Sequence, residues 1–277
     1  MVRIGYLGPR GTFSHEALKK YMGNAPHQAM DFQSISEIFE AFGKGLLDEA
    51  IVPVENSIEG AVSATMDILA HEAGLMVKAE LILPIRENLL IKPGTGISDI
   101  RYVLSHPQPL GQCRKFLSER LPHALTKAVY STAAAAEEVM NGSGDLAAIG
   151  SAAAAEVYGL EIAVADIHDN DNNQTRFFII GGTDAARTGN DKTSIVFSTE
   201  DKPGSLYRIL EIFNLWDINM TRIESRPAKN MLGRYIFFVD IAGHREDENV
   251  KDALTMVGKK TSFLRILGSY PASRAQD

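Results

Sequence analysis

From residue 3 to residue 182 short apolar runs alternate with longer stretches of helical periodicity, which confines this part of the chain to α/β architectures. Strands are predicted at 3–7, 50–54, 75–83, 88–92, 101–104, 126–130, 146–149, 162–165 and 176–181. Helices are predicted at 13–22, 35–46, 59–72, 108–120, 132–141 and 151–158. Strands joined through helices run parallel. So many strands could form one sheet or two lobes. Two are favoured, because Pro84, then Glu87-Asn88 and a fresh strand read as a crossover, and a second crossover near 160–170 returns the chain to its first lobe. The approximate lobes are 1–83 with 166–182, and 84–165, making one unit of 1–182. Residues 183–192 hold no large apolar side chain and read as a linker. A βαββαβ pattern follows: strands at 194–198, 220–225, 234–241 and 263–268, and helices at 204–215 and 248–258. That order predicts a ferredoxin-like domain over 193–271, with 272–277 as a tail.

Composition narrows the function classes. A chain of 277 residues, 45% hydrophobic and 23% charged, has the balance of a globular protein, and no apolar run reaches a membrane span. The strand-like Arg3–Leu7 leaves no room for a secretory signal, and a lone Cys113 fits a reducing compartment. The cytoplasm is therefore the expected location. The net charge of −7 divides into −8 for residues 1–190 and +1 for 191–277. Neither part carries the basic stripe of a nucleic-acid surface. His15, His71, His106 and His168 are scattered, without metal-ligand spacing among themselves or with Cys113, so no metal and no cofactor is expected.

The segment from Asp169 to Gly181 passes from a wholly polar run into Phe177–Ile180. The loop-to-strand boundary therefore falls at Thr175-Arg176, offering a hydroxyl donor beside a planar cationic fork. Polar residues also cluster where predicted strands end and helices begin: Thr12 and Ser14, Glu55-Asn56-Ser57, Ser105, Ser131-Thr132, and Ser151. Such turns present unpaired amides at helix N-termini and suit anions, although each Ser or Thr could equally be a helix cap. Gln108 and Gln112 lie four apart on one predicted helix and share a face.

Four segments carry a specific resemblance. Gly8-Pro9-Arg10-Gly11-Thr12-Phe13-Ser14, Val52–Gly60, Ser105-His106-Pro107-Gln108-Pro109 and Asp169–Gly181 with its Thr175-Arg176-Phe177 triplet together resemble prephenate dehydratase, from about residue 3 to residue 182. The resemblance implies a two-lobe fold like the type II periplasmic-binding fold, with a cleft between the lobes. It implies decarboxylative dehydration of prephenate to phenylpyruvate, in phenylalanine biosynthesis. Aromatisation drives that reaction, so neither metal, redox cofactor nor covalent nucleophile is needed. The cleft must hold two carboxylates and assist a departing hydroxide. By resemblance Thr175 gives that assistance. Glu55 is either a proton source or an ionised support; Asn56 and Gln112 donate to substrate oxygens. Thr12, Ser14, Ser57, Ser105, Ser131, Thr132, Arg176 and Phe177 complete the expected substrate contacts.

Glu224-Ser225-Arg226-Pro227 resembles the phenylalanine-binding turn of the ACT domain, supported by Gly204-Ser205-Leu206 at the first helix, where the family usually has Gly-Ala-Leu. Together with Asn219 these residues are expected to bind L-phenylalanine as an allosteric effector, in a homodimer or dimer of dimers. Without a helix-turn-helix or a chorismate mutase segment before residue 3, the chain reads as monofunctional. Competing readings are an arogenate dehydratase and a non-catalytic small-anion sensor of the same two-lobe fold.

Overall fold

A computed structural model of the chain describes residues 1–72, 74–228 and 235–273. It divides into two compact units, Met1–Thr65 with Leu81–Phe177 and Met66–Glu80 with Phe178–Asp277. Up to residue 181 the strands are β1 (Val2–Leu7), β2 (His27–Phe32), β3 (Glu49–Asn56), β4 (Gly60–Ala61), β5 (Met76–Pro84), β6 (Asn88–Ile91), β7 (Tyr102–Ser105), β8 (Leu125–Ala128), β9 (Leu146–Gly150), β10 (Glu161–Val164) and β11 (Gln174–Gly181). The helices among them are α1 (Phe13–Met22), α2 (Ile35–Gly43), α3 (Ser63–His71), α4 (Pro107–Gln112), α5 (Arg114–Arg120), α6 (Thr132–Asn141) and α7 (Ala152–Tyr158).

Two sheets result. One runs β2-β1-β3-β11-β5 with β4 appended to β3, and the other runs β10-β6-β9-β7-β8. Each sheet is the centre of one lobe. Helices cover both faces of the second sheet, so Asn88–Ile91 is buried throughout, with Leu89 and Ile91 in one core and Leu90 in the other. Each such aliphatic side chain contributes about 1.5–3 kcal/mol on leaving water. The expected parallel pairing holds for β1 with β2 and β3, and for β7 with β8 and β9, whereas β6 runs antiparallel to β9 and β10.

Three differences from the expected elements have physical causes. The sequence shows no strand at His27–Phe32 because β2 is a sheet edge whose residues are half-buried or exposed, without an apolar alternation. The helix expected from residue 59 starts at Ser63, since Gly60–Ala61 turns back onto Glu55 and Asn56. The helix expected at 108–120 is broken at Cys113, whose backbone lies at φ −116° and ψ 22°.

The second unit contains β12 (Asp191–Ser198), α8 (Ser205–Leu215), β13 (Met220–Pro227), β14 (Tyr235–Ala242), α9 (Glu248–Lys260) and β15 (Phe263–Pro271), with sheet order β13-β14-β12-β15. This is the ferredoxin-like arrangement, its core formed by Ile195, Phe197, Ile209, Phe213, Val239 and Leu254. Arg234, expected to open the third of these strands, and 274–277 of the expected tail lie outside the described residues. Within the same unit the domain grips Met66–Glu80. At Gly268 an added Cβ would sit 2.1 Å from the Val77 carbonyl oxygen, so only glycine fits. Phe178 packs edge-on to Tyr270 at 5.7 Å, and Arg265 donates to the Glu72 carbonyl at 2.8 Å. The segment 183–192 is itself tied down: Ser269 N–H donates to Asp184 at 3.2 Å, and Asp191 accepts from Thr188 and Gly189.

Lys192 Nζ lies 2.8 Å from Glu80 Oε1, whose side chain has no solvent exposure. Lys192→Met removes the cation that faces this buried carboxylate, which keeps the Ser273 N–H as a donor at 2.8 Å, and should lower the unfolding free energy by about 1.5–3 kcal/mol. Urea denaturation checks this, and an unchanged midpoint would show that the pair does not hold the unit together.

Candidate active site

A cavity of about 920 Å³ lies in the first unit. From the first lobe it is lined by Thr12, Ser14, Asn56, Thr175 and Phe177, and from the second by Glu87, Gln108, Gln112, Ser131 and Thr132. The residues between the two sheets therefore come from strand ends and helix starts, where open α/β sheets place their ligands.

The polar groups in this cavity are ordered by a chain of hydrogen bonds with one possible direction. Asn56 Oδ1 accepts the backbone N–H groups of Ile58 and Glu59 at 2.9 and 3.0 Å. Backbone amides only donate, so the Asn56 amide cannot be flipped. Its Nδ2 then donates to Asn173 Oδ1 and to Thr175 Oγ1, both at 2.9 Å. Asn173 Nδ2 in turn donates to Gln112 Oε1 at 2.9 Å. Two consequences follow. Thr175 accepts from Asn56, which leaves its own hydroxyl hydrogen to be given away. Gln112 accepts from Asn173, and its Nε2 is shielded from water with no partner.

The loop-to-strand boundary is fastened around this chain. Ser57 N–H donates to the Gln174 carbonyl at 2.9 Å, Ser57 Oγ donates to the Asn172 carbonyl at 2.7 Å, and Gln174 N–H returns a bond to Ser57 Oγ at 3.0 Å. Ser57 is thus spent on backbone and lies outside the cavity lining. Ser105 is likewise buried and donates to the Ile149 carbonyl at 2.8 Å. Arg176 Nη1 lies 4.0 Å from Glu55 Oε2, and neither belongs to the lining. Thr12 caps α1 by accepting from His15 N–H at 3.4 Å and gives its hydroxyl to the Leu7 carbonyl at 3.1 Å. Ser131 caps α6 through Ala134 N–H at 3.0 Å. Ser14 and Thr132 are buried at the cavity wall, and Phe177 packs behind it with 1% exposure.

Other titratable groups serve the frame. His15 stacks on Tyr6 at 5.3 Å and accepts from Gly11 N–H at 3.2 Å, and burial, helped by Arg10, holds it below its usual range. His106 caps α4 through Gln108 N–H at 3.4 Å. Burial pushes the Cys113 thiol up, which keeps it inert. Sequence reasoning missed two residues. Asn173 is 2% exposed and links Asn56 to Gln112; its signal was the polar run before Thr175. Glu87 is 1% exposed and lines the cavity; nothing local marks it. Among the described residues no group of three or more His, Cys, Asp or Glu could hold a metal ion. Nor is any helix there long and apolar enough to cross a membrane.

In the second unit a smaller pocket of about 160 Å³ is lined by Ser205 and Leu206 with Thr199–Lys202, Tyr235 and Phe237. Gly204 precedes α8 in the left-handed region at φ 78°. Glu224 pairs with Arg222, Arg226 Nη2 reaches Asp67 at 3.3 Å, and the Asn219 carbonyl accepts from Ala242 at 2.9 Å. Ser225 and Pro227 stand in the ladder opposite Phe237 and Tyr235.

The family profile described as Prephenate dehydratase matches residues 4–185, and that of the ACT domain matches residues 193–255. A bifunctional chorismate mutase/prephenate dehydratase of Aquifex aeolicus is 40% identical over 276 residues, covering 100% of this chain and 75% of that one. A prephenate dehydratase of Mycobacterium tuberculosis is 40% identical over 285 residues, covering 99% and 88%. Among solved structures, prephenate dehydratase of Arthrobacter aurescens in complex with L-Phe superposes with a TM-score of 0.90 at 37% identity, over 98% of this chain and 90% of that one.

Asn173→Leu preserves bulk but removes the donor to Gln112 Oε1, while Asn56 Nδ2 keeps Thr175 Oγ1 at 2.9 Å and the Gln174 carbonyl at 3.2 Å as acceptors. It should lower the unfolding free energy by about 1–3 kcal/mol. Ser118→Ala, at an exposed hydroxyl, should change it by less than about 0.5 kcal/mol. Equal effects in urea titrations would show that the Asn173 link carries no stability.

Proposed function

The chain belongs to the prephenate dehydratase family, and we propose that its cleft removes carbon dioxide and water from prephenate to give phenylpyruvate through the residues ordered by Asn56. The observation that carries this reading is the Thr175 hydroxyl, which accepts from Asn56 and has its hydrogen left to donate. Aimed at the departing ring oxygen, it stabilises the negative charge that develops there. Gln112 Nε2, desolvated and unpartnered, supplies a second donor to the dianion. The N-termini of α1 and α6, ending at the cavity wall, add positive partial charge suited to the carboxylates. Arg176 is the nearby cation, and its pairing with Glu55 supports the reading of Glu55 as an ionised support. Ser14, Ser131 and Thr132 complete the wall, and Phe177 shapes the space behind Thr175.

Regulation belongs to the second unit in this proposal. The L-Phe complex of the Arthrobacter relative supports L-phenylalanine as effector of the ACT domain. The pocket at Ser205 and Leu206 takes part of the ligand, with Gly204, Asn219 and Glu224–Pro227 contributing in an assembly of two ACT domains. Exposed Tyr207, Leu215, Ile223 and Tyr235, with β13 as an open sheet edge, support such an assembly. An effector acting away from Thr175 works by favouring a state with a poorer cleft.

Thr175→Ala should lower kcat by about 10²-fold or more with a smaller change in KM, while Thr175→Ser keeps substantial activity. Assays run in parallel on prephenate and arogenate, following phenylpyruvate and phenylalanine, test both the role and the substrate; wild-type turnover in the alanine variant would remove Thr175 from the chemistry. For the effector, Ser205→Trp fills the small pocket. It should weaken phenylalanine inhibition at least about tenfold, a change of about 1.4 kcal/mol, and leave uninhibited turnover intact. Full inhibition of this variant would move the effector site elsewhere.

A further inference from the structure

The dehydration needs a proton as well as a hydrogen-bond donor, because hydroxide is a poor leaving group and water a good one. A threonine hydroxyl is too weak an acid to provide it. Of the carboxyl groups bordering the cavity, Asp31 and Glu59 are exposed to solvent, whereas Glu87 is buried. Glu87 sits immediately before β6, where its backbone carbonyl accepts from Ile167 N–H at 2.8 Å, so its position is set by the frame of the second lobe. Its Oε2 is out of reach of water and has no hydrogen-bond partner. A buried carboxylate without a partner is costly; a protonated carboxyl with a free O–H beside a cavity is a poised acid.

We propose that Glu87 is the catalytic acid that protonates the departing hydroxyl of prephenate. This rests on the functional reading above and deepens it. In the step, the ring carbon–oxygen bond breaks as the Glu87 proton passes to that oxygen, giving water. The electron pair of the bond between the ring and its carboxylate moves into the ring, carbon dioxide departs, and the ring becomes aromatic. Glu87, left as a carboxylate, must regain a proton before the next turnover. Substrate dianion and one proton thus become phenylpyruvate anion, carbon dioxide and water.

The surroundings agree with this role. Burial, then the charge of Glu16 on α1, pushes the Glu87 carboxyl up to about 8, so it keeps its proton at neutral pH. The neighbouring Cys113 thiol stays neutral. Arg86, the adjacent cation, is turned to His168, Asp166 and Asp171.

The test is the pH profile of prephenate turnover by the full-length enzyme. Wild-type kcat/KM should fall as pH rises through about 8, the acid being lost as Glu87 ionises. Glu87→Gln, isosteric with the protonated acid, should fold, lose about 10²–10⁴-fold in kcat, and lose that alkaline limb. Glu87→Asp should keep the limb with reduced kcat. Wild-type activity without an alkaline limb near this value, or a Glu87→Gln enzyme that retains turnover and limb, overturns the proposal and leaves the functional reading standing. A wild-type enzyme inactive on prephenate at every pH sinks both. The wild-type profile decides the matter alone should the glutamine variant not fold.

Discussion

Backbone amides donate and never accept, and at Ile58 and Glu59 this asymmetry sets the polarity of the whole cleft. It fixes the Asn56 amide, which fixes Asn173, which fixes Gln112. Removing any member leaves its neighbours partly satisfied in a shielded place, which costs more than the bond itself is worth. The short return of Gly60–Ala61 onto β3 is what presents those two amides to Asn56. A two-residue strand therefore governs the orientation of donors contributed by both lobes.

The lobes are themselves joined closely beside this cleft. Ser151 Oγ donates to the Gly11 carbonyl at 2.7 Å, and a Cβ at Gly11 would come within 3.1 Å of the Ala154 Cα. Lys19 reaches Glu156 at 2.6 Å on the surface nearby, a pair worth little by comparison. The packed glycine, at φ 89°, holds the first helix start at the cavity wall. Placement of Thr12 and Ser14 thus depends on the absence of a side chain at residue 11.

Much of this was legible beforehand, for reasons that can be named. Phe13–Met22 is helical where expected because Thr12 caps it, and Thr175 stands at a strand start because the polar run ends there. Edge strand β2 was not legible, its burial being too slight to impose a pattern. Partners distant in sequence were hidden too. Arg226 looked like part of a ligand turn, and the structure gives it Asp67 as an ion-pair partner. Serines at strand ends looked alike, yet Ser105 and Ser57 spend their hydroxyls on carbonyls while Ser14 lines the cavity. Glu87 was passed over as part of a crossover, because its importance comes from burial that only the packed second lobe creates.

The unpartnered Gln112 amide has a meaning for selectivity. An N–H held dry before any ligand arrives penalises every occupant that offers it no oxygen. At about 1–3 kcal/mol for one such donor, an occupant of equal shape but lacking the acceptor binds roughly 5–150-fold more weakly. Aromatisation strips the ring of both its carboxylate and its hydroxyl, so the product offers fewer acceptors than the substrate did. In the proposed reaction the same unpartnered donor that favours the dianion would hasten the departure of what it becomes, so that the cleft discriminates in time as well as in kind.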